Sequence, residues 1–166
     1  AAAIEDAIHV AGIIDAVEAE LLIACDVRYL GFPLVLGYHE EDLSVDDAAA
    51  IVSRFRDRAT FFLITYLDRA ADIAALCRKL GVQTAQIHGD VDIGELEALR
   101  RAEPALRIIK SLIVRSDNEQ TLQRTVTHFA PHVDAFITDT FDPETGASGA
   151  TGKTHDWQIS RRLVEL

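Results

Sequence analysis

A glycine-rich run at residues 146–156, GASGATGKTHD, has the composition of a loop that could hold a phosphate. A nucleotide-binding P-loop has the spacing G-x-x-x-x-G-K-[ST], in which backbone N–H groups surround the phosphates and the lysine contacts them. The first glycine of that spacing should stand at position 147, which is Ala147, and DTFDPET separates the run from the strand-like segment before it. The sequence therefore disfavours a P-loop nucleotide hydrolase. A mobile lid over a ligand and a plain surface loop both remain compatible with the glycines.

The chain around this run alternates between two kinds of segment. Nearly continuous apolar residues predict six strands, at Ile8 to Ile13, Arg28 to Leu36, Thr60 to Thr65, Val82 to His88, Leu106 to Val114 and Val133 to Thr138. Helical periodicity and start signals predict helices at Asp15 to Cys25, Ser44 to Arg56, Asp68 to Leu80, Asp92 to Ala102, Asp117 to Phe129 and, as a further start, Asp156 to Leu166. Such alternation is typical of parallel strands covered by helices.

The strand spacing is compatible with two architectures. One is a closed barrel of eight βα units, which takes ~250 residues, and the other is an open doubly wound sheet. Sequential parallel order is predicted, with a core that includes Ile13, Phe32, Leu63, Ile87, Ile109 and Ile137. Ser44, followed by Asp47, and Asp68 are predicted helix caps.

Composition limits the partners and the compartment. The net charge of −11 arises from 27 acidic and 16 basic residues that are interspersed, which makes duplex nucleic acid an unexpected partner but permits a small phosphorylated substrate. Cys25 and Cys77 lie in helical segments without metal-ligand spacing, so both are expected to be buried, inert thiols, and no metal or cofactor is expected. No apolar stretch reaches the ~20 residues that span a bilayer. We therefore expect a cytoplasmic protein without a membrane partner. Because the 166 residues include no Met, we expect the sequence to be an incomplete translation product.

The residues around the glycine run resemble those of the phosphoribosylanthranilate isomerases. DAFITD followed by GASGATGKTHDW is similar to that family's sixth strand, which ends in aspartate, and to its TGK-x-x-DW segment; QIHGD, LRIIKSLIV and YLGFPL resemble its fourth, fifth and second strands. The resemblance covers residues 8–166 and implies an α/β fold, the (βα)8 TIM barrel. We expect about six βα units and the start of a further helix, as a single domain over residues 1–166 that is incomplete at its C-terminus.

The resemblance implies an Amadori rearrangement, in which a phosphoribosyl amine opens and becomes a 1-deoxyketose. A general acid must protonate the furanose ring oxygen, and a general base must remove the proton from the sugar C2. The family's acid matches Asp139, for which a turn-capping role is the alternative. The family's base is a cysteine in K-I-C-G, but HVAG at residues 9–12 places Ala11 there. The loop after the second strand, GYHEEDLS, lacks the arginine of the family's S-P-R.

Other residues could supply the base. His88 ends the fourth strand, and an unperturbed imidazole pKa near ~6.5 suits proton transfer in either direction, although a structural role for His88 is the alternative. His9 shares a strand face with Ala11 but lies one layer deeper, and Lys110 and Asp15 are further candidates. Substrate binding is assigned to the glycine loop, at Gly149, Thr151, Gly152 and Lys153. The family's phosphate site follows strands seven and eight, which this sequence does not include.

Two barrel functions remain as hypotheses. The first is an isomerase of tryptophan biosynthesis, active as a monomer or homodimer, with Asp139 as its acid. The second is a divergent barrel enzyme or binding protein for another sugar phosphate, which the missing cysteine and arginine favour. Turnover of phosphoribosylanthranilate distinguishes the two.

Overall fold

The computed structural model describes residues 8–36, 41–149 and 151–166. The chain forms two compact units, divided between Arg107 and Ile108. Strands and helices alternate through both. The strands are β1 (His9–Ala11), β2 (Tyr29–Pro33), β3 (Thr60–Thr65), β4 (Thr84–Ile87), β5 (Arg107–Val114) and β6 (Ala135–Thr140). The helices are α1 (Ala16–Ala24), α2 (Val45–Phe55), α3 (Ala70–Leu80), α4 (Ile93–Ala102), α5 (Glu119–Phe129) and α6 (Trp157–Val164).

In the first unit, β1 to β4 pair in parallel and in chain order. Four parallel strands with helical crossovers must be apolar on the helix-covered face, and Leu30, Phe32 and Leu63 are each at most 1% exposed there. Ser44 caps α2 as predicted, because its hydroxyl accepts the amide N–H of Asp47 at 3.1 Å. The prediction that Asp68 caps α3 was wrong. Arg69 occupies the cap position and makes no side-chain cap bond.

In the second unit, β5 and β6 are parallel neighbours, with Ile113 paired to Asp139. One face of this strand pair packs against α5 and α6 in a cluster of Leu112, Val114, Leu122, Val126, Ile159 and Leu163, to which Phe136 adds its ring. The two helices are also joined by an ion pair, in which Arg162 Nη2 donates to Glu119 Oε2 at 2.7 Å. Side chains alternate along a strand, so Ile113, Ile137 and Asp139 lie on the opposite face.

Most of the predicted core is buried, with one exception. Ile13, Phe32, Leu63, Ile87 and Ile109 are at most 7% exposed, whereas Ile137 is 38% exposed. Placing Ile137 in the core was wrong: within the second unit β6 pairs with β5 alone, so Ile137 lies on a strand with one paired edge. The prediction that both thiols are buried was also wrong for Cys25, which is exposed at the C-terminal end of α1. Cys77 on α3 is buried.

Candidate active site

Asp139 lies near the carboxyl end of β6, on the face that points away from α5 and α6. Its Oδ1 accepts the amide N–H of Thr140 at 2.8 Å. The next amide, that of Phe141, donates to the carbonyl of Val114 on β5 at 3.3 Å. The carboxylate is therefore held by the backbone at the point where regular pairing ends, which is where parallel βα folds place catalytic groups.

The glycine loop begins with a turn built on Asp142. The Asp142 carboxylate accepts the amide N–H of Glu144 and the hydroxyl of Thr145, each at 2.9 Å. The turn-capping role that the sequence offered as an alternative for Asp139 therefore belongs to Asp142. Its carbonyl also accepts the amide of Gly146 at 2.8 Å. Gly146, Gly149 and Gly152 have φ values of +76°, +81° and +64°, in the left-handed region that glycine adopts without strain.

After this turn the loop returns alongside the end of β6. Phe141 and Ser148 form an antiparallel bridge. The Asp142 amide donates to the Ala147 carbonyl and the Gly149 amide donates to the Thr140 carbonyl, each at 2.9 Å. Position 150 lies outside the described residues. The loop is thus hydrogen bonded to the residues that directly follow Asp139.

The Lys153 ammonium group contacts two carboxylates of the same loop. Its Nζ donates to Asp142 Oδ1 at 2.8 Å and to Glu144 Oε2 at 2.6 Å. Hydrogen bonds from Lys153 and from the Glu144 amide lower the pKa of Asp142 to about 2. The two carboxylates in turn raise the pKa of Lys153. Thr151 contributes its hydroxyl as acceptor for the Lys153 amide at 3.2 Å. Lys153 therefore closes the loop on itself, a role that its place in the glycine run did not indicate.

A histidine that the sequence did not single out connects the loop to α6. His155 Nδ1 lies 2.8 Å from Thr140 Oγ1, and its Nε2 lies 2.7 Å from Ser160 Oγ. Ser160 donates to Thr138 Oγ1 at 3.1 Å. Because the single hydroxyl hydrogen of Ser160 is used there, Ser160 must accept from His155 Nε2–H. In a neutral imidazole Nδ1 then accepts from the Thr140 hydroxyl. The only sequence signal was the histidine between TGK and DW.

In the first unit, His88 directly follows β4 and is 8% exposed. Its amide donates to the Thr65 carbonyl at 2.8 Å, and its ring lies 4.7 Å from the ring of Tyr66. The next residue must be glycine, because a Cβ on Gly89 would lie 2.6 Å from the Tyr66 carbonyl oxygen. His88 is therefore positioned by close backbone packing between β3 and β4.

Ala11 ends β1, pairs with Gly31 and is exposed. His9, on the same face, packs its ring 4.5 Å from that of Phe62. A Cβ on Gly31 would lie 2.5 Å from His9 Nε2, so glycine makes room for the imidazole. Among the described residues, His9 Nε2 is buried without a hydrogen-bond partner, and burial lowers the His9 pKa.

The other two candidate bases have structural contacts. Asp15 Oδ1 accepts the Glu18 amide at 2.7 Å and caps α1. Lys110 is buried, and its Nζ donates to the Ser111 carbonyl at 2.9 Å. By alternation Lys110 shares its strand face with Leu112, which packs on the helices, so it points away from the face of Asp139. The loop after β2, where an arginine was sought, includes residues 37–40, which are outside the described part of the chain.

Two features are absent from the described residues. Within residues 8–36, 41–149 and 151–166, no group of three or more His, Cys, Asp or Glu side chains could hold a metal ion. No helix in that part of the chain is long and apolar enough to cross a membrane.

Known proteins resemble this chain in sequence and in fold. The family model for N-(5'-phosphoribosyl)anthranilate isomerase matches residues 43–165. N-(5'-phosphoribosyl)anthranilate isomerase 2 of Methanosarcina mazei is 34% identical over 161 residues, which cover 95% of this chain and 69% of the relative. The crystal structure of phosphoribosyl anthranilate isomerase from Thermotoga maritima superposes with a TM-score of 0.74 at 20% identity, over 92% of this chain and 69% of that one. A further structure, a complex with reduced 1-(o-carboxyphenylamino)-1-deoxyribulose 5-phosphate, gives a TM-score of 0.68 at 18% identity, over 82% and 66%.

The sequential parallel strands, their helical crossovers and these structural matches define a TIM-barrel protein. The predicted fold class is confirmed. With a family model that matches 43–165 and a relative that is 34% identical over most of the chain, this protein belongs to the phosphoribosylanthranilate isomerase family.

Proposed function

We propose that the protein isomerises phosphoribosylanthranilate in tryptophan biosynthesis. The observation that carries the proposal is Asp139, which the Thr140 amide holds at the end of β6, on the face away from the helices and beside the glycine loop. Family membership supplies the reaction class, and this carboxyl group supplies the acid that the reaction needs.

The proposed chemistry is a proton transfer in two steps. Protonated Asp139 gives its proton to the furanose ring oxygen, the bond between that oxygen and C1 breaks, and the nitrogen lone pair forms an iminium. A base then takes the C2 proton and leaves an enolamine, which tautomerises to the 1-deoxyketose. We assign His88 as the base, because it is a buried imidazole at the carboxyl end of a strand. Gly149, Thr151, Gly152 and Lys153 are proposed to bind the substrate through the loop. Of these, Lys153 would act by fixing the loop through Asp142 and Glu144.

The setting of the reaction is part of the same proposal. The substrate is a small phosphorylated molecule, no cofactor takes part, and the protein works in the cytoplasm as a monomer or homodimer. The acidic net charge of −11 argues against nucleic acid as a partner.

Turnover of phosphoribosylanthranilate by the full-length gene product tests this function. Ala11 stands where the family resemblance places the basic cysteine, and a missing general base typically costs ~10²- to 10⁴-fold in rate. Turnover should therefore be slow unless His88 substitutes for that cysteine, and Ala11→Cys should raise the rate. Ala11→Ser is the matched control, because a hydroxyl of similar size is not a base at neutral pH and should leave the rate unchanged.

The second candidate is a divergent barrel for another sugar phosphate. The observation that favours it is Ala11 itself, exposed at the end of β1 with only a methyl group. Absence of turnover in both the natural protein and Ala11→Cys, together with binding of a different sugar phosphate, would establish this alternative.

A further inference from the structure

We propose that Arg115 binds an anionic group of the substrate, a carboxylate or a phosphate, in the layer above Asp139. The inference rests on the proposed function for the identity of the substrate, but its geometry is independent of it. Sequence reasoning sought an arginine only in the loop after β2, where the family motif has one. The structure supplies a guanidinium group from the residue that follows β5.

Arg115 directly follows β5, which pairs with the strand that carries the proposed acid. Ile113 on β5 is paired with Asp139 on β6. Arg115 is two residues beyond Ile113, and Phe141 is two residues beyond Asp139, so alternation places both on the strand face of the proposed acid, one step further towards the carboxyl end. The guanidinium carbon of Arg115 lies 3.9 Å from the centre of the Phe141 ring, a contact that agrees with this placement.

The backbone around Arg115 is fixed on both sides. The Arg115 amide donates to Asn118 Oδ1 at 2.9 Å, and Asn118 Nδ2 donates to the Ile113 carbonyl at 2.9 Å. Phe141 is held in turn by its amide bond to Val114 and by its bridge to Ser148 of the glycine loop. The guanidinium group therefore packs over the ring of Phe141, and Phe141 is itself bridged to the glycine loop.

The charge of the Arg115 side chain also favours an anionic ligand. Among residues 8–36, 41–149 and 151–166, the Arg115 side chain is exposed and has no carboxylate within ion-pair distance. Some other exposed arginines do have one, as Arg54 has Glu20 and Arg69 has Glu95. A guanidinium stacked on an aromatic ring keeps its N–H edge available, and that edge matches the two oxygens of a carboxylate or phosphate. Phosphoribosylanthranilate carries both groups.

Binding of two probes to the full-length protein tests the proposal and separates the two anions. Anthranilate presents the carboxylate and ribose 5-phosphate presents the phosphate. Loss of a charge-assisted hydrogen-bond pair typically weakens binding by ~10- to 100-fold, so we expect Arg115→Gln to raise the Kd of one probe and the KM for substrate by that factor, with a smaller effect on kcat.

Two further variants grade the effect. Arg115→Lys keeps the charge but not the bidentate geometry, so its Kd for that probe should be intermediate. Phe141→Leu should weaken the same probe by ~2- to 5-fold, because it removes the cation–π support.

Arg124→Gln is the matched control, since Arg124 is an arginine of α5 in the same unit, away from the Asp139 face. A selective loss of anthranilate assigns Arg115 to the carboxylate, and a selective loss of ribose 5-phosphate assigns it to the phosphate. Unchanged affinity for both probes in Arg115→Gln, equal losses in Arg115→Gln and Arg124→Gln, or no binding of either probe by the natural protein would overturn the proposal. If the natural protein binds a probe through Arg115 but does not turn over phosphoribosylanthranilate, the proposed function fails and the anion site stands.

Discussion

Thr140 connects the proposed acid to the glycine loop and to His155. Its amide donates to Asp139, its carbonyl accepts from Gly149 and its hydroxyl is hydrogen bonded to His155. All three polar groups of one residue are therefore used to hold a carboxylate, a loop and a helix together. Satisfied polar networks of this kind tend to fix a single arrangement, which general acid catalysis requires.

Asp139→Asn should lower kcat for phosphoribosylanthranilate by ~10²- to 10⁴-fold, because the amide has the same shape but cannot give up a proton to the ring oxygen. The amide oxygen can still accept the Thr140 N–H, so the thermal unfolding midpoint should stay close to that of the natural protein. Steady-state kinetics and thermal unfolding measure the two quantities. An unaltered kcat would remove Asp139 from the mechanism.

The two cysteines should differ in reactivity. Burial, with a further contribution from Glu103, raises the pKa of Cys77 to about 12, whereas Cys25 is exposed. Since the thiolate is the reactive form, a thiol reagent at neutral pH should modify one cysteine in the folded protein and both in denaturant. Cys25→Ser serves as the control and should leave no fast-reacting thiol. Rapid labelling of both cysteines without denaturant would contradict the burial of Cys77.

Some site residues could be found from the sequence and others could not. Asp139 and Ala11 stand at fixed places in recognisable strand motifs, so their positions follow from the strands alone. Arg115 and His155 depend on what a neighbouring element presents to them, Phe141 in one case and Ser160 in the other. Lys153 has the position of a phosphate ligand but pairs with Asp142, eleven residues earlier in the chain. Contacts between segments are not visible in the spacing of residue types.

At the scale of elements, the apolar runs located the strands and the cap signals located the helices. β3 has the predicted bounds, Thr60–Thr65, and α2 begins directly after its predicted cap, Ser44. Predicted strand ends were less accurate. β1 was expected over Ile8 to Ile13 and spans His9–Ala11, because pairing to β2 ends where Gly12 turns to φ +86°. Hydrophobicity continues past the point where the regular strand ladder stops.

Gly89→Ala and Gly94→Ala should have opposite consequences. The new Cβ at position 89 would meet the backbone oxygen of Tyr66 at 2.6 Å, whereas at position 94, in α4, nothing lies within 4 Å. We expect Gly89→Ala to lower the free energy of unfolding by ~1–3 kcal/mol and to displace His88. Gly94→Ala should be neutral or stabilise by up to ~1 kcal/mol. Denaturant unfolding of both variants measures these changes in the free energy of unfolding. Equal changes in the two variants would mean that the β3–β4 packing tolerates a side chain at position 89.

At the scale of the molecule, acid stability should depend on Asp142. Its pKa is lowered from 3.8 to about 2, so the folded state favours the ionised form. The resulting stabilisation is fully present above pH 3.8 and is lost as the pH falls towards 2. Asp142→Asn should therefore unfold more easily than the natural protein at pH 5, and the difference should shrink as the pH approaches 2. Thermal unfolding between pH 5 and pH 2 measures this, and a constant difference would contradict the linkage.

The alternation of strands and helices predicted the architecture, but residue type did not predict which side chains are buried at every position. Apolar strands separated by helices predicted parallel order, which both units show. Ile137 has the residue type of a core position but is 38% exposed, because burial depends on which strands flank β6 and not on its own sequence. The single domain over residues 1–166 stays a prediction. The described chain forms two compact units, each with its own strands and helices.

The ring contact between His155 and Trp157 gives the protein an internal optical probe. Trp157 is the single tryptophan of the chain, is 64% exposed, and lies with its ring centre 5.0 Å from that of His155. Indole emission responds to solvent and to a neighbouring imidazole, and this imidazole is hydrogen bonded to Thr140 at the base of the glycine loop. If the loop closes over a ligand, the emission should therefore change without any attached label. Temperature-jump fluorescence of the natural sequence with ligand would follow motion on the microsecond-to-millisecond scale typical of lids, and a plain surface loop would give no such phase.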